Sequence, residues 1–403
     1  MLMISFINVT ITFFIILAFC AYNIYYILDL NRPVAELNSH NCRLLKGLIG
    51  AEDIIKFGNY LIAPSDDRIK LWEHPDYLAN KVSDGGLYLI DPESEKIRKL
   101  ELNGFPNTVA FHPHGMYFTK TNLLYVINHA YNKGGERVEV FEIDKFFPEF
   151  SFDTLKIKYK YSILFDDIHM GRLNDLVVLE TGKDEIYITS YLAFADPKNG
   201  RDVAVNKFSK LKTFGTLALL LNWSHVYYCN GVNQVNVANC IQIKSERVSS
   251  VQNTGIAYDS KNDLLYLVRP LEKEIKLFKI DQDNHSVLHY QGDIKLNHNP
   301  DNAFFDEEAN AITLGVGGKP LDFFNYIDHS ISNTNSNKDV PCWCGAEIVN
   351  LNATSIPYKG EVIVMQNDKM CGISSAIIVK SKVFMGSWAA QGVLVCDLVL
   401  GSI

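Results

Sequence analysis

Positive charge is what this chain is short of. Lys and Arg number 38 against 46 Asp and Glu, a formal net charge of −8. That balance argues against a nucleic-acid partner, and the one notable basic run, Lys156-Ile157-Lys158-Tyr159-Lys160, reads as a solvated strand face. No Lys-Ser or Lys-Thr follows the glycine-rich Gly315-Val316-Gly317-Gly318, so a phosphate loop is excluded. Ser374-Ser375 lacks a surrounding Gly-x-Ser-x-Gly, so it is no nucleophile elbow. Cys342-Trp343-Cys344 lacks a matching second pair, which argues against zinc. Asp66-Asp67 and Asp166-Asp167 read as solvated turns. Long amphipathic helices are also few.

What the chain has is hydrophobic bulk. Its 403 residues are 47% hydrophobic and 12% aromatic, a globular composition. Its 20 Tyr and 23 Phe favour pleated structure, where aromatic rings pack well. Residues 4 to 28 are almost continuously apolar, with no charge before Asp29. A bilayer takes about 20 such residues. No small-x-small cleavage site closes the run, which favours an uncleaved signal anchor over a cleaved signal peptide. Residues 1–30 are therefore expected to be anchor or signal. Residues 31–403 are expected to form one domain in the secretory pathway, either membrane-anchored and facing the lumen or exterior, or secreted.

The cysteines suit that compartment. Cys20 lies in the apolar run, and Cys42, Cys229, Cys240, Cys342, Cys344, Cys371 and Cys396 follow it. Disulfides are expected among them. The sequons at Asn222, Asn284 and Asn352 are candidate glycosylation sites.

Beyond residue 59 short apolar segments alternate with turns, as at Gly86 to Asp91 with Ile97 to Leu102, and Leu123 to Asn128 with Arg137 to Ile143. The pattern returns at Leu264 to Val268 with Glu274 to Ile280, and at Lys382 to Ser387 with Gly392 to Leu398. A recurrence of roughly 40–60 residues suits four-stranded blades. The expectation is an all-β, six-bladed β-propeller behind an N-terminal hydrophobic helix, with insertions at about 195–250 and 329–360. Cys42 and Cys396 stand at the two ends of the repeat region. Paired, they would fasten first blade to last; local pairing is the alternative. The run Leu217 to Trp223 is too short to span a bilayer and suits a surface helix or an apolar lid.

Polar doublets recur before buried segments: Glu52-Asp53, Asn174-Asp175, Asn253 with Thr254-Gly255, and Asp301-Asn302. Asx residues open turns by bonding their own backbone, and each doublet alone reads that way. Four at recurrent positions also suit an all-oxygen cage at the mouth of a central tunnel. Mixed carboxylate and amide oxygens are the preference of Ca²⁺. His114, bracketed by Pro113 and Gly115, and His129 lie on one expected hairpin, where two imidazoles suit general-base chemistry or, more blandly, backbone hydrogen bonding.

Taken in order, Asn41-Cys42-Arg43-Leu44-Leu45-Lys46-Gly47, Glu52-Asp53, Pro113-His114-Gly115, Val126-Ile127-Asn128-His129, Leu173-Asn174-Asp175, Asp301-Asn302 and Cys396-Asp397-Leu398 resemble the paraoxonase/arylesterase family. The resemblance implies a six-bladed propeller with two tunnel Ca²⁺ ions that hydrolyses lactones and aryl esters. It implies that Glu52, Asn174, Asp301 and Asn302 hold a catalytic calcium. Asp53, Asp175 and the Met116 carbonyl would hold a structural one. His114 and His129 match the family's histidine dyad, and Cys42 with Cys396 its ring-closing disulfide. One departure is that Thr254 stands where the family has an asparagine before Gly-Ile, with Asn253 one residue earlier. Another is that Val316-Gly317 replaces a Cys-His pair, and Ser190-Tyr191-Leu192 an Asn-Asp-His stretch. The expected activity is calcium-dependent hydrolysis of a small lactone or ester, with lipid association through the N-terminal segment. The rivals are a non-enzymatic, membrane-tethered propeller with structural calcium only, and a six-bladed hydrolase resembling gluconolactonases or strictosidine synthases with a different metal set.

Overall fold

The computed structural model describes residues 2–73, 84–130, 135–143, 152–165, 170, 172–192, 212, 215–230, 237–332, 340–352 and 358–398. It opens with helix α1 (Leu2–Leu28), apolar throughout and long enough to cross a membrane by length and composition. Asp29, at φ 50°, ends the helix, and its carboxylate pairs with Arg32 at 3.0 Å and Lys273 at 2.7 Å. Asn23, buried, donates to the Ala218 carbonyl at 2.8 Å. These contacts hold the end of the helix against a β-rich body.

That body is built of four-stranded antiparallel meanders. The first is β2 (Ile55–Phe57), β3 (Tyr60–Ser65), β4 (Gly86–Ile90) and β5 (Ile97–Lys99). After the two-residue β6 (Leu102–Asn103) comes the second: β7 (Pro113–Phe118), β8 (Leu123–Ala130), β9 (Gly135–Ile143) and β10 (Ile157–Phe165). The third is β11 (Arg172–Val178), β12 (Ile186–Leu192), β13 (Val226–Asn230) and β14 (Val237–Gln242). A parallel pair between β10 and β14 joins the second and third into one sheet. The fourth is β15 (Ile256–Asp259), β16 (Leu264–Arg269), β17 (Glu274–Ile280) and β18 (Leu288–Lys295). The fifth is β19 (Asn299–Asp306), β20 (Ala311–Gly317), β21 (Cys344–Asn350) and β22 (Glu361–Gln366). The last combines β23 (Ile373–Val379), β24 (Lys382–Ser387) and β25 (Gln391–Asp397) with β1 (Cys42–Ile49) from the other end of the chain.

The recurring Ile-Asp at strand ends has a local cause. Asp91 accepts from the Glu93 amide at 2.9 Å, and Asp281 from Asp283 at 3.0 Å and Asn284 at 2.9 Å. Each aspartate thus builds the turn that ends its strand.

Six core clusters each mix residues of two neighbouring meanders. Ile62 and Leu89 meet Met116 and Val126; Ile127 meets Leu176 and Ile188; Tyr187 meets Leu265. Val268 meets Leu314, Val364 meets Met385, and Ile377 and Phe384 return to Ile54 and Leu61. Burying one such side chain is worth about 1.5–3 kcal/mol, so each sheet is held chiefly by its neighbours. The first strands also touch in sequence: β2 with β7, β7 with β11, β11 with β15, β15 with β19, and β19 with β23.

Cys42 faces Cys396 in the β1–β25 register and is disulfide-bonded to it, so the two ends of the chain are fastened. Cys229–Cys240 bridges β13 and β14, and Cys342–Cys371 is the third bond. Among the described residues Cys20 and Cys344 are free thiols.

Some expectations need correction. The stretches expected as insertions contain β13, β14 and β21, which complete two meanders. Their polar residues, such as Asn239 and Gln242, masked the strand pattern. Helix α3 (Pro320–Ser332) was not foreseen; with α2 (Arg68–Glu73) it packs over one end of the sheets, where Ile69, Phe323, Tyr326 and Trp388 cluster with the Cys342–Cys371 bond. Asp66 is no solvated turn: it is 3% exposed and lies 3.1 Å from His112 Nδ1. Asp166-Asp167 falls outside the described residues. Lys158 and Lys160 are exposed on β10 beside buried Ile157, as a solvated strand face requires. Gly315 is a packing glycine whose added Cβ would meet the Ser374–Ser375 backbone at 2.3 Å.

Candidate functional site

Two of the polar doublets, Asn174-Asp175 and Asp301-Asn302, fall where the first strand of a meander is irregular. The register shifts between Leu173 and Leu176 in β11, Pro300 and Ala303 in β19, Pro113 and Met116 in β7, and Ile373 and Ser375 in β23. A bulge re-aims side chains that a regular strand would point into the packing between sheets. Glu52-Asp53 precedes β2, and Asn253-Thr254 precedes β15.

Close approach between meanders demands glycine. A Cβ on Gly115 would lie 2.4 Å from the Asn174 carbonyl, and one on Gly255 would lie 2.6 Å from the Asp301 carbonyl. Side-chain bonds complete the ties. Asn302 Nδ2 donates to Glu52 Oε1 at 2.6 Å and to its carbonyl at 3.1 Å. The Ser374 hydroxyl donates to that same carbonyl at 2.6 Å.

The doublets divide by how their oxygens are used. Asp53 accepts from the Met116 and Ile54 amides at 2.9 and 2.8 Å. Asp175 accepts from the Ile256 and Leu176 amides at 2.9 and 2.8 Å. These two carboxylates therefore staple neighbouring sheets through backbone. By contrast Glu52 Oε2, Asn174 Oδ1, Asn253 Oδ1, Asp301 Oδ1 and Asn302 Oδ1 are buried and accept no hydrogen bond. His114 Nδ1 does lie 3.2 Å from Glu52 Oε2, but it bonds the Asn174 carbonyl at 2.9 Å. Buried acceptors are nearly always paired, so five orphans drawn from the predicted set are a strong departure.

Burial pushes Asp53 up to about 6 and Asp301 up to about 7. Glu52 is raised by burial and then by Asp301, and Asp175 by burial and then by Asp53. Together these groups fit a hard cation, which takes carboxylate, amide and carbonyl oxygens together. His, Cys, Asp and Glu alone form no group of three that could hold a metal among the described residues. At the Asn253-Thr254 departure, Thr254 Oγ1 donates to the Asp301 carbonyl at 3.0 Å, leaving Asn253 to present the unpaired oxygen.

The histidines converge as expected. The rings of His114 and His129 are 4.7 Å apart, edge to face, and both are buried. A carbonyl only accepts, so His114 carries its proton on Nδ1 and its lone pair on Nε2. Sequence reasoning missed three supporting groups. Arg68, 3% exposed, donates to the Gly50 carbonyl at 2.5 Å and to that of Pro113, clamping the two segments that lead to Glu52 and His114. Asp66 holds His112, two residues before His114. Glu136 lies 3.0 Å from His129 Nδ1. The expected hairpin, with Asn128 and Arg137 as its inner ends, already placed Glu136 opposite His129 if its register is continued by one residue.

A cavity of about 1030 Å³ opens at the other end of the first strands. It reaches Asp53, Met116 and Asp175 but neither histidine, so its size does not locate the reactive groups. Asn222, Asn284 and Asn352 are all exposed.

The arylesterase family model matches residues 33–337. Similar solved structures include a gluconolactonase from Xanthomonas campestris, at 11% identity over 92% of this chain and 99% of that one, with a TM-score of 0.41. A luciferin-regenerating enzyme is similar at 10% identity over 92% and 96%, with a TM-score of 0.45. An aldose sugar dehydrogenase from Streptomyces coelicolor is similar at 10% identity over 91% and 100%, with a TM-score of 0.42. Likeness at that level says nothing about activity. No curated protein matches the sequence.

Proposed function

The chain belongs to the arylesterase family, and from that premise we propose that it is a calcium-dependent hydrolase of lactones and aryl esters. In this proposal the six meanders are the blades of a propeller, and their first strands line its tunnel. The observation that carries it is the set of five buried, unpaired oxygens on Glu52, Asn174, Asn253, Asp301 and Asn302. These would hold a catalytic Ca²⁺, and Asp53, Asp175 and the Met116 carbonyl a structural one. Bound there, Ca²⁺ supplies positive charge that polarises a substrate carbonyl.

The remaining chemistry belongs to the chain. The Asn174 carbonyl orients His114, which takes a proton from water as the water oxygen attacks the ester carbonyl. The same imidazole then returns the proton to the departing alkoxide or phenoxide. His129 fixes the His114 ring edge to face. Burial of the site strengthens the electrostatic interactions within it. Helix α1 would tether the domain to a membrane on its luminal or exterior side, as the three disulfides favour.

The test is hydrolysis of aliphatic and aromatic lactones and aryl esters before and after exhaustive EDTA treatment, with calcium quantified by metal analysis. Loss of turnover with calcium, and its return on calcium addition, is the expected result. Unchanged activity in calcium-free protein would refute the mechanism. Full calcium occupancy with no turnover on the panel would identify a tethered binding module instead.

A further inference from the structure

We infer that Glu136 is a positioning residue for His129, and that its charge supports the imidazolium formed during turnover. His129 and Glu136 stand directly opposite each other in the β8–β9 register. Cross-strand neighbours on one face are within side-chain reach, and here Nδ1 and Oε1 are 3.0 Å apart. The His129 side chain is 6% exposed and that of Glu136 is 16% exposed, so water screens the pair weakly. An ionised carboxylate only accepts, so the contact places a proton on His129 Nδ1.

The same Oε1 accepts from the Leu173 amide at 3.0 Å. Leu173 immediately precedes Asn174-Asp175 in β11. One oxygen therefore ties the second histidine to the strand that supplies a proposed metal ligand and the carbonyl orienting His114. Glu136 is not needed for the hairpin itself, whose ladder runs through backbone from Leu123↔Glu142 to Ala130↔Gly135. When His114 takes a proton from water, positive charge appears 4.7 Å, ring to ring, from His129. The carboxylate behind His129 offsets that charge. The catalytic half of the inference rests on the proposed hydrolase activity; the positioning half does not.

The experiment uses the full chain, calcium-loaded, with ¹⁵N-labelled histidine. Imidazole nitrogen shifts report which His129 nitrogen is protonated in wild type, Glu136→Gln and Glu136→Ala. Gln keeps an oxygen for both contacts and removes the charge. Glu136→Gln should keep the Nδ1–H form and the wild-type unfolding midpoint. It should lower kcat about 10- to 100-fold with KM nearly unchanged. Glu136→Ala should also lose the single tautomer. A wild-type His129 protonated on Nε2, or Glu136→Ala with an unchanged tautomer, would overturn the positioning. Wild-type kcat in Glu136→Gln would overturn the charge role. If wild type shows the Nδ1–H form but hydrolyses nothing, the hydrolase proposal and the charge role both fail while the positioning stands.

Discussion

Asp301 and Asp53 show what burial does to a carboxylate, even with Arg68 near enough to oppose it. Both are raised from 3.8, to about 7 and about 6 respectively, by burial before anything else. The unfolded chain ionises these groups first, so in calcium-free protein the folded state binds more protons. Its stability is then undiminished below about pH 4, falls as pH rises toward 7, and levels off above. Bound calcium would reverse this by favouring the ionised form. Thermal unfolding in EDTA should give a midpoint lower at pH 7.5 than at pH 5, on the order of 5 °C or more. Excess calcium should remove most of that difference. A calcium-free midpoint that rises with pH would contradict the assignment of these oxygens as ligands. The polar doublets were readable in advance as candidates, because they recur in order before apolar segments. Arg68 and Asp66 were not, since each acts through a contact between segments far apart in sequence.

At the scale of elements, the bulge is what re-aims the polar pair of a strand. Alternation alone would direct Asn174 and Asp175 to opposite faces of β11. The shift between Leu173 and Leu176 breaks that rule, and Gly115 lets β7 approach closely enough to receive the result. Gly115→Ala would force its Cβ to 2.4 Å from the Asn174 carbonyl, a backbone atom with little room to yield. The expected cost is about 1–3 kcal/mol in denaturant unfolding, with weakened calcium binding in titration calorimetry. Gly215→Ala, where the new Cβ meets nothing within 4 Å, is the neutral control. Strand positions were largely legible: β24 runs Lys382–Ser387 as expected, and β17 runs Glu274–Ile280. Bulges were not, because they depend on which partner the strand finds. Polar β14 was hidden for the same reason, its Cys229–Cys240 bridge to β13 and its neighbours supplying what its composition lacks.

The whole molecule is a cycle, and β1 with β25 is its clasp. The Cys42–Cys396 bond closes a separation of 354 residues. A loop that long is worth about 5 kcal/mol in the chain-entropy account. Arg43 adds ion pairs to Asp397 at 2.7 Å and to Glu95 across the clasp. Replacing both cysteines by serine should lower the unfolding midpoint in non-reducing conditions by roughly 10 °C. The native fold should survive at low temperature, since the six clusters between meanders remain. An unchanged midpoint would show that the clasp is held by strand pairing alone.

Sequence by itself determined that this protein is β-rich, acidic, disulfide-bearing and headed by an apolar helix, because those properties follow from composition and short-range pattern. It also singled out the polar doublets and the histidine pair as candidates, because their motifs are local and ordered. Only the tertiary structure decided which of those oxygens remain unpaired and which are spent on backbone amides. Those outcomes depend on distances between strands of different meanders, and no local pattern along the chain encodes them.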